Sequence, residues 1–238
     1  GFPHLYHTFT LGLDYKDFDE QVGFRTGAIV TPVSYLKFSA AWNATWHWDE
    51  TLAHVEIAFN GAPRGLGNTE KEFERKRFKA QPDFAFLHVS GDLLQPVAFG
   101  AQVFARMSGQ VTGSPLITNE QFSAGGVDEV RGYIEAERLG DDAVAATLEL
   151  RSPNVAGTRL PGLRNLQLSA FTDMADLVTR APLPGTKGDA TLWSAGVGVQ
   201  LEALDRMQAS LYWAYPLVDG DRTRAGDHRV HFSVGYEY

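Results

Sequence analysis

The last ten residues carry the pattern that decides the fold: Arg229-Val230-His231-Phe232-Ser233-Val234-Gly235-Tyr236-Glu237-Tyr238. Every second residue, beginning with Val230, is apolar or aromatic, and the residues between are polar or glycine. Successive side chains of a β-strand point to opposite faces of the sheet. This period of two therefore predicts a strand whose two faces meet different surroundings.

The same alternation recurs along the chain and predicts about ten strands. Several of these segments reach ten residues or more, which exceeds the usual five or six of soluble sheets and approaches what a tilted membrane-spanning strand needs. The predicted strands lie near residues 5–16, 34–48, 51–60, 82–90, 97–111, 142–152, 165–175, 191–202, 207–217 and 228–238.

The connections between these strands alternate in length. Long ones are expected near 17–33, 61–81, 112–141, 176–190 and 218–227, and short ones at 49–50, 91–96 and 203–206. The connection at 153–164 is of medium length and is the one departure. Outer-membrane barrels combine brief periplasmic turns with extended external loops in this way. The sequence therefore predicts an all-β fold, an antiparallel meander that forms a transmembrane β-barrel.

Composition excludes several other classes of function. The net charge of −8 argues against nucleic acid as a partner, because binding phosphates needs a basic surface. With no cysteine and no ligand-like spacing among seven histidines, we expect neither a disulfide nor a metal site. Serine, histidine and aspartate are present without a Gly-x-Ser-x-Gly motif, so we expect no catalytic residues and no cofactor.

The longest predicted connection, at about 112–141, contains the candidate site. Its centre reads Gly125-Gly126 and then, four residues later, Val130-Arg131-Gly132-Tyr133. Gly132 would let the backbone form a tight tip, and the Gly125-Gly126 pair would let the two arms of a hairpin pack closely. Arg131 is a cation that needs a partner.

Carboxylates on two predicted strands could supply that partner. Asp173 shares a strand face with Gln167, Ser169 and Phe171, and Glu149 faces the same way on the preceding strand. A loop folded into the barrel could bring Arg131 to them, and the planar fork of an arginine binds a carboxylate through two hydrogen bonds. The residues alone equally allow an Arg131 in solvent and an unrelated Asp173.

These motifs resemble those of a known family. The run from Glu120 to Tyr133, together with Phe171-Thr172-Asp173, resembles the signature motifs of the haemolysin secretion/activation proteins, the outer-membrane transporters of two-partner secretion. The resemblance implies that Arg131 docks on Asp173 inside the barrel. Whole members carry two periplasmic domains and a plug helix before a sixteen-stranded barrel. Residues 1–238 would then be the C-terminal part of the barrel, matching its last ten strands, with the periplasmic domains absent from this chain.

The same resemblance implies a function and a location. We expect a pore in the outer membrane of a Gram-negative bacterium that secretes a large partner protein of haemolysin or adhesin type to the cell surface. Its further partners would be outer-membrane lipid and the barrel-insertion machinery, with Tyr236 and Tyr238 as the C-terminal assembly signal. Two alternatives remain open: a barrel-assembly factor of the same superfamily, and a passive diffusion barrel.

Overall fold

A computed structural model describes the chain over residues 4–24, 27–67, 69–156, 162–203 and 206–237. Within 20–30 only the backbone of the strands is described, and Tyr238 lies outside the described residues.

Ten long strands form one antiparallel sheet in which each strand pairs with the next one along the chain. Two further short strands, β6 (Phe122–Ala124) and β7 (Arg138–Gly140), pair with each other inside the longest connection. The ten long strands are β1 (His4–Phe24), β2 (Gly27–Trp48), β3 (Thr51–Ala62), β4 (Phe84–Pro96), β5 (Gln102–Thr112), β8 (Asp142–Arg151), β9 (Leu163–Val178), β10 (Asp189–Ala203), β11 (Met207–Pro216) and β12 (Arg229–Tyr236).

The strand order is a meander with two open edges. Among the described residues, β1 pairs with β2 and β12 pairs with β11, and the two edge strands do not pair with each other. Separately, no helix in the described part of the chain is long and apolar enough to span a membrane.

The two faces of the sheet differ as the alternation predicts. On β12, Val230, Phe232 and Val234 are exposed, whereas the side chain of His231 between them contacts the longest connection. On β9, Phe171 and Asp173 are buried and Leu168 and Met174 are exposed. The face that carries the longest connection is called the inner face below.

The prediction of a connection at 91–96 is wrong. Residues 91–96 continue β4, and the turn lies instead at 97–101, so that β5 begins at Gln102 rather than at 97. Gly91 suggests a break, but it pairs with Val55 on one side and Met107 on the other, and both ladders run through it. The turn is closed by a hydrogen bond from the Val97 N–H to the Ala101 carbonyl oxygen.

The prediction of a long connection at 17–33 is also wrong. β1 and β2 continue through it as paired strands, from His4 opposite His47 to Phe24 opposite Gly27. Glycine and Pro32 in this stretch suggest a loop, because both residue types weaken strands. The hairpin instead keeps its register over its whole length.

The hydrophobic core lies on the inner face, between the sheet and the connections. One cluster joins Tyr35 of β2 to Phe73 of a short helix, α1 (Glu70–Lys76), and to Leu116 and Ile117. The other joins strands β8, β9 and β10 to the longest connection; its members are Phe122, Ala124, Val130, Tyr133, Ala145, Ala175, Leu177 and Leu192. Apolar side chains therefore hold the connection against the sheet.

Candidate functional site

Residues 113–141 between β5 and β8 form a loop, here called the infolded loop, that lies on the inner face. Its arms pair through β6 and β7, and the Gly126 N–H donates to the carbonyl oxygen of Tyr133. Gly125 and Gly126 have φ values of 107° and 93°, which favour glycine. A Cβ at Gly125 would lie 2.4 Å from the Ile134 carbonyl oxygen, so the arms pack too closely there for a side chain.

Arg131, near the tip of this loop, is bound by two carboxylates. Its Nε and Nη2 donate to the two oxygens of Asp173, each at 2.8 Å, and its Nη1 donates to Glu149 Oε2 at 2.7 Å. Arg131 is 5% exposed, Asp173 0% and Glu149 2%. The structure thus brings together the three residues that the sequence proposes as a group, and all three are buried.

The main chain of Arg131 is held as well as its side chain. The Arg131 N–H donates to Asp173 Oδ2 at 3.1 Å, and His231 Nε2 lies 2.7 Å from the Arg131 carbonyl oxygen. Asp173 belongs to β9 and His231 to the edge strand β12. Both polar main-chain groups of the arginine are therefore fixed by strands of the sheet.

Two aromatic rings complete the arginine site. The guanidinium carbon of Arg131 lies 3.3 Å from the ring centre of Phe171 and 5.0 Å from that of Tyr212. A cation over an aromatic face is attracted by the ring quadrupole. Gly196 and Gly198 on β10 leave the space for these rings, since a Cβ there would lie 2.4 Å from Phe171 and 2.5 Å from Tyr212.

The charges at the site balance. Glu149 Oε1 accepts a second hydrogen bond at 2.9 Å from Nε of Arg151, so two arginines face two carboxylates. Gln200 donates to Glu149 at 3.3 Å. Removing charges from water is costly, and a balanced, hydrogen-bonded cluster is the arrangement in which that cost is recovered.

The neighbours of Arg131 in the signature tetrapeptide are buried too. A Cβ at Gly132 would lie 2.5 Å from Ser194 Cβ, so the backbone contacts β10 directly. Val130 and Tyr133 are fully buried, and the Tyr133 hydroxyl donates to the Val218 carbonyl oxygen at 2.7 Å. Burial raises the pKa of Tyr133, which stays a neutral donor.

Three further acidic residues fasten the arms of the infolded loop, and the sequence reasoning missed all of them. Glu120 bonds to Lys37 at 3.0 Å and to the Tyr35 hydroxyl. Glu137 accepts from the Thr223 hydroxyl at 2.8 Å. Asp141 accepts from Arg77 at 2.7 Å. Lys37, Thr223 and Arg77 lie 83, 86 and 64 positions from these acids along the chain, so no local pattern could have revealed the pairs.

Of the expected assembly signal, the structure describes only Tyr236. Tyr236 is 63% exposed near the end of β12, and Tyr238 is outside the described residues. In the described part of the chain, no group of three or more histidine or acidic side chains is arranged to hold a metal ion.

Comparison with known proteins gives one family and one fold. The family model described as "Haemolysin secretion/activation protein ShlB/FhaC/HecB" matches residues 33–201, more than half of the chain. A search by sequence among curated proteins found no match.

Solved structures are similar over almost the whole chain. CdiB from Escherichia coli is similar with a TM-score of 0.76 and 18% identity, over 98% of this chain and 42% of that one. CdiB from Acinetobacter baumannii is similar with a TM-score of 0.69 and 14% identity, over 98% of this chain and 39% of that one. BamA from Haemophilus ducreyi lacking POTRA domains 1-3 is similar with a TM-score of 0.51 and 13% identity, over 98% of this chain and 61% of that one.

These similarities confirm the predicted fold, an all-β antiparallel meander of the kind found in β-barrel transporters. The chain spans about two fifths of the length of the two CdiB chains that it resembles.

Proposed function

Since the chain belongs to the haemolysin secretion/activation protein family, we propose that it forms the C-terminal part of an outer-membrane pore that secretes a partner protein. The observation that carries the proposal is the infolded loop anchored on the inner face through Arg131. A loop in this position occupies space that a pore would offer to a passing polypeptide. The proposed role of Arg131, Asp173 and Glu149 is to set that occupancy.

The balance of the site supports a loop that stays docked until it is displaced. Removing one partner of a buried ion pair costs about 3–5 kcal/mol, because the other charge is stranded. A lumen filled with water would reduce this towards about 0–1 kcal/mol, the value of exposed pairs. The full burial of Asp173 supports a cost nearer to the higher figure.

The proposal includes a location and partners. The apolar outer face would contact lipid of a Gram-negative outer membrane, and Tyr236 with Tyr238 would serve the insertion machinery as an assembly signal. The partner would be a large haemolysin- or adhesin-type protein, and neither a cofactor nor nucleic acid is required. The matched family is a secretion family, so we propose a transporter and not an enzyme.

Two other functions remain as candidates. The fold is also similar to that of BamA, which supports a barrel-assembly factor as the second candidate. A passive diffusion barrel, with the loop as a mere constriction, is the other. Single-channel conductance of the full-length protein with and without residues 120–138 tests the passive channel, which conducts small solutes without secreting a partner. Insertion of other barrels into the membrane tests the assembly factor.

The direct test is secretion by the full-length transporter carrying Arg131→Ala. We expect secretion to fall strongly while the protein still reaches the membrane as a heat-modifiable barrel, because the strand ladder does not depend on Arg131. Arg224→Ala is the matched control, since Arg224 is exposed in the connection between β11 and β12. Exchanging the charges, with Arg131→Asp and Asp173→Arg together, should restore part of the secretion. Normal secretion by Arg131→Ala would end the proposal.

A further inference from the structure

A cleft of about 700 Å³ lies where several of the long connections meet. One wall is Arg75–Phe78, in the connection between β3 and β4, and another is Thr179–Lys187, between β9 and β10. Thr118 and Leu139 of the infolded loop and Arg222, between β11 and β12, also line the cleft. It is separate from the Arg131 site, and we call it the connection cleft.

The connection cleft is cationic in a chain whose net charge is −8. Two carboxylates also line it, and both are engaged: Asp221 accepts from Arg138 at 2.6 Å, and Glu137 accepts from Thr223 at 2.8 Å. The cationic residues that line it are Arg75, Lys76, Arg77, Arg138, Lys187 and Arg222. The lining therefore carries a clear excess of positive charge.

Arg77 and Arg138 are already neutralised within the protein. Arg77 pairs with Asp141, and Arg138 pairs with Asp221. Both carboxylates lie within 3 Å of their arginines, at 2.7 and 2.6 Å. The charge that a ligand could use must therefore come from other residues of the lining.

Arg75 and Lys187 supply charge that remains available to a ligand. Both are exposed, and neither makes an ion pair within the described residues. Glu72, one helical turn before Arg75, attracts it without forming an ion pair among the described residues. Lys187 also borders a smaller neighbouring cleft that contains Asp189 and Asp219, which offsets some of its charge. The offset is partial in both cases, so the cleft keeps two accessible cations.

The uncharged part of the lining contains an apolar patch beside the polar Thr118, Gln121, Thr179 and Thr186. Leu183 is 58% exposed and Phe78 is 40% exposed, and Ala181, Pro182 and Leu139 lie with them. An inorganic anion would bind the cations and leave the apolar patch exposed to water. A peptide segment with both acidic and apolar side chains would use both parts.

The part of the lining that the infolded loop supplies favours a peptide over a lipid phosphate as the ligand of the cleft. Thr118, Gln121 and Leu139 belong to the infolded loop, which packs on the inner face. Membrane lipid would contact the opposite, outer face of the sheet. A chain that passes along the inner face reaches the connection cleft directly.

We propose that the connection cleft binds an acidic, partly apolar segment of the exported polypeptide as it leaves the pore. The inference rests on the proposed function, since it takes the exported protein as the ligand. Attraction between exposed charges is screened by salt, so the binding is strongest at low ionic strength. A weak, reversible contact of this kind would hold an emerging chain without trapping it.

The test measures binding of a fluorescent peptide of alternating glutamate and leucine to the full-length protein in nanodiscs. Arg75→Gln with Lys187→Gln should weaken the binding by about tenfold at low salt. The matched control is Lys71→Gln with Arg224→Gln, which removes two exposed cations outside the cleft and should leave the affinity unchanged. A peptide of lysine and leucine should bind at least about tenfold more weakly than the glutamate peptide.

Equal binding to both double variants would overturn the inference, as would equal binding of the lysine peptide. Displacement of the glutamate peptide by lipopolysaccharide, at concentrations where an uncharged detergent has no effect, would assign the cleft to lipid phosphate instead. These results are distinct from failure of the proposed function, which is read from secretion by Arg131→Ala. A transporter that secretes in an Arg131-dependent way but ignores the peptide loses only this inference.

Discussion

Arg77 and Asp141 join two connections of the sheet through a buried ion pair. The two terminal nitrogens of Arg77 donate to the two oxygens of Asp141 at 2.9 and 2.7 Å, and Asp141 is 0% exposed. Arg77 follows α1, and Asp141 ends the infolded loop. The backbone N–H groups of Leu116 and Arg180 also donate to Asp141. One carboxylate thus ties three connections together.

Asp141→Asn is expected to loosen these connections while the sheet stays intact. It strands the cation of Arg77, and a broken buried pair costs about 3–5 kcal/mol. Hydrogen exchange of residues 70–80 and 113–141 should accelerate, with the strands unchanged. Asp142→Asn is the control, because Asp142 pairs with the more exposed Arg180 and should cost at most about 1 kcal/mol. Equal exchange in the two variants would contradict the prediction.

Asp173→Asn should free the loop tip more than Glu149→Gln does. Asp173 accepts two side-chain hydrogen bonds and the main-chain hydrogen bond of Arg131, whereas Glu149 accepts one bond from Arg131 and shares its charge with Arg151. Loss of about 3 kcal/mol at Asp173 corresponds to opening that is roughly a hundredfold more frequent. Amide exchange at 130–133 measures the opening, and the reverse order of the two variants would refute this ranking.

Gly132→Ala should displace the loop by steric conflict alone. The new Cβ would lie 2.5 Å from Ser194 Cβ and 3.0 Å from the Pro216 nitrogen, both on neighbouring strands. Overpacking of this kind costs about 1–3 kcal/mol. Gly113→Ala is the matched control, since a Cβ added there would meet no atom within 4 Å. We expect faster amide exchange at 130–133 and weaker secretion only for Gly132→Ala.

Docking of the loop should depend on pH through Glu129. Burial raises the pKa of this carboxyl above its ordinary value, against the effect of the hydrogen bond from Ser108. The pKa of Glu129 is higher in the docked loop than in the free loop. Its contribution to the stability of the docked loop is therefore fully present below the ordinary glutamate pKa and is lost as the pH rises through the raised pKa. Glu129→Gln should therefore stabilise the docked loop at about pH 7 and leave it unchanged at low pH. Thermal unfolding of both proteins at about pH 4 and pH 7 tests this, and an equal difference at the two pH values would contradict it.

Much of the fold and part of the site could be predicted because they rest on short-range patterns. The alternation around Phe232 gives the strand and its outer face, and the two-residue spacing of Phe171 and Asp173 gives their common direction. Sequence reasoning places the turn near Phe99 at 91–96 instead, around Gly91. Its two neighbouring strands carry the ladder through it, and their pairing is not visible in the local sequence.

The residues that anchor the arms of the infolded loop are close in space but far apart in the sequence. Glu120 meets Lys37 only because the infolded loop reaches across the inner face from β5 to β2. The ring of Phe171 reaches Arg131 only because Gly196 on the next strand lacks a side chain. No spacing in the sequence records either relationship.

The contacts of Arg131 also constrain the order of folding. They reach Glu149 on β8, Asp173 on β9, Tyr212 on β11 and His231 on β12, the last of them 100 positions along the chain. Contacts of such long sequence separation form late, since the entropy of closing the intervening chain opposes them. The arginine cannot acquire its full set of partners until β12 has joined the sheet, so its burial marks the docking of that strand.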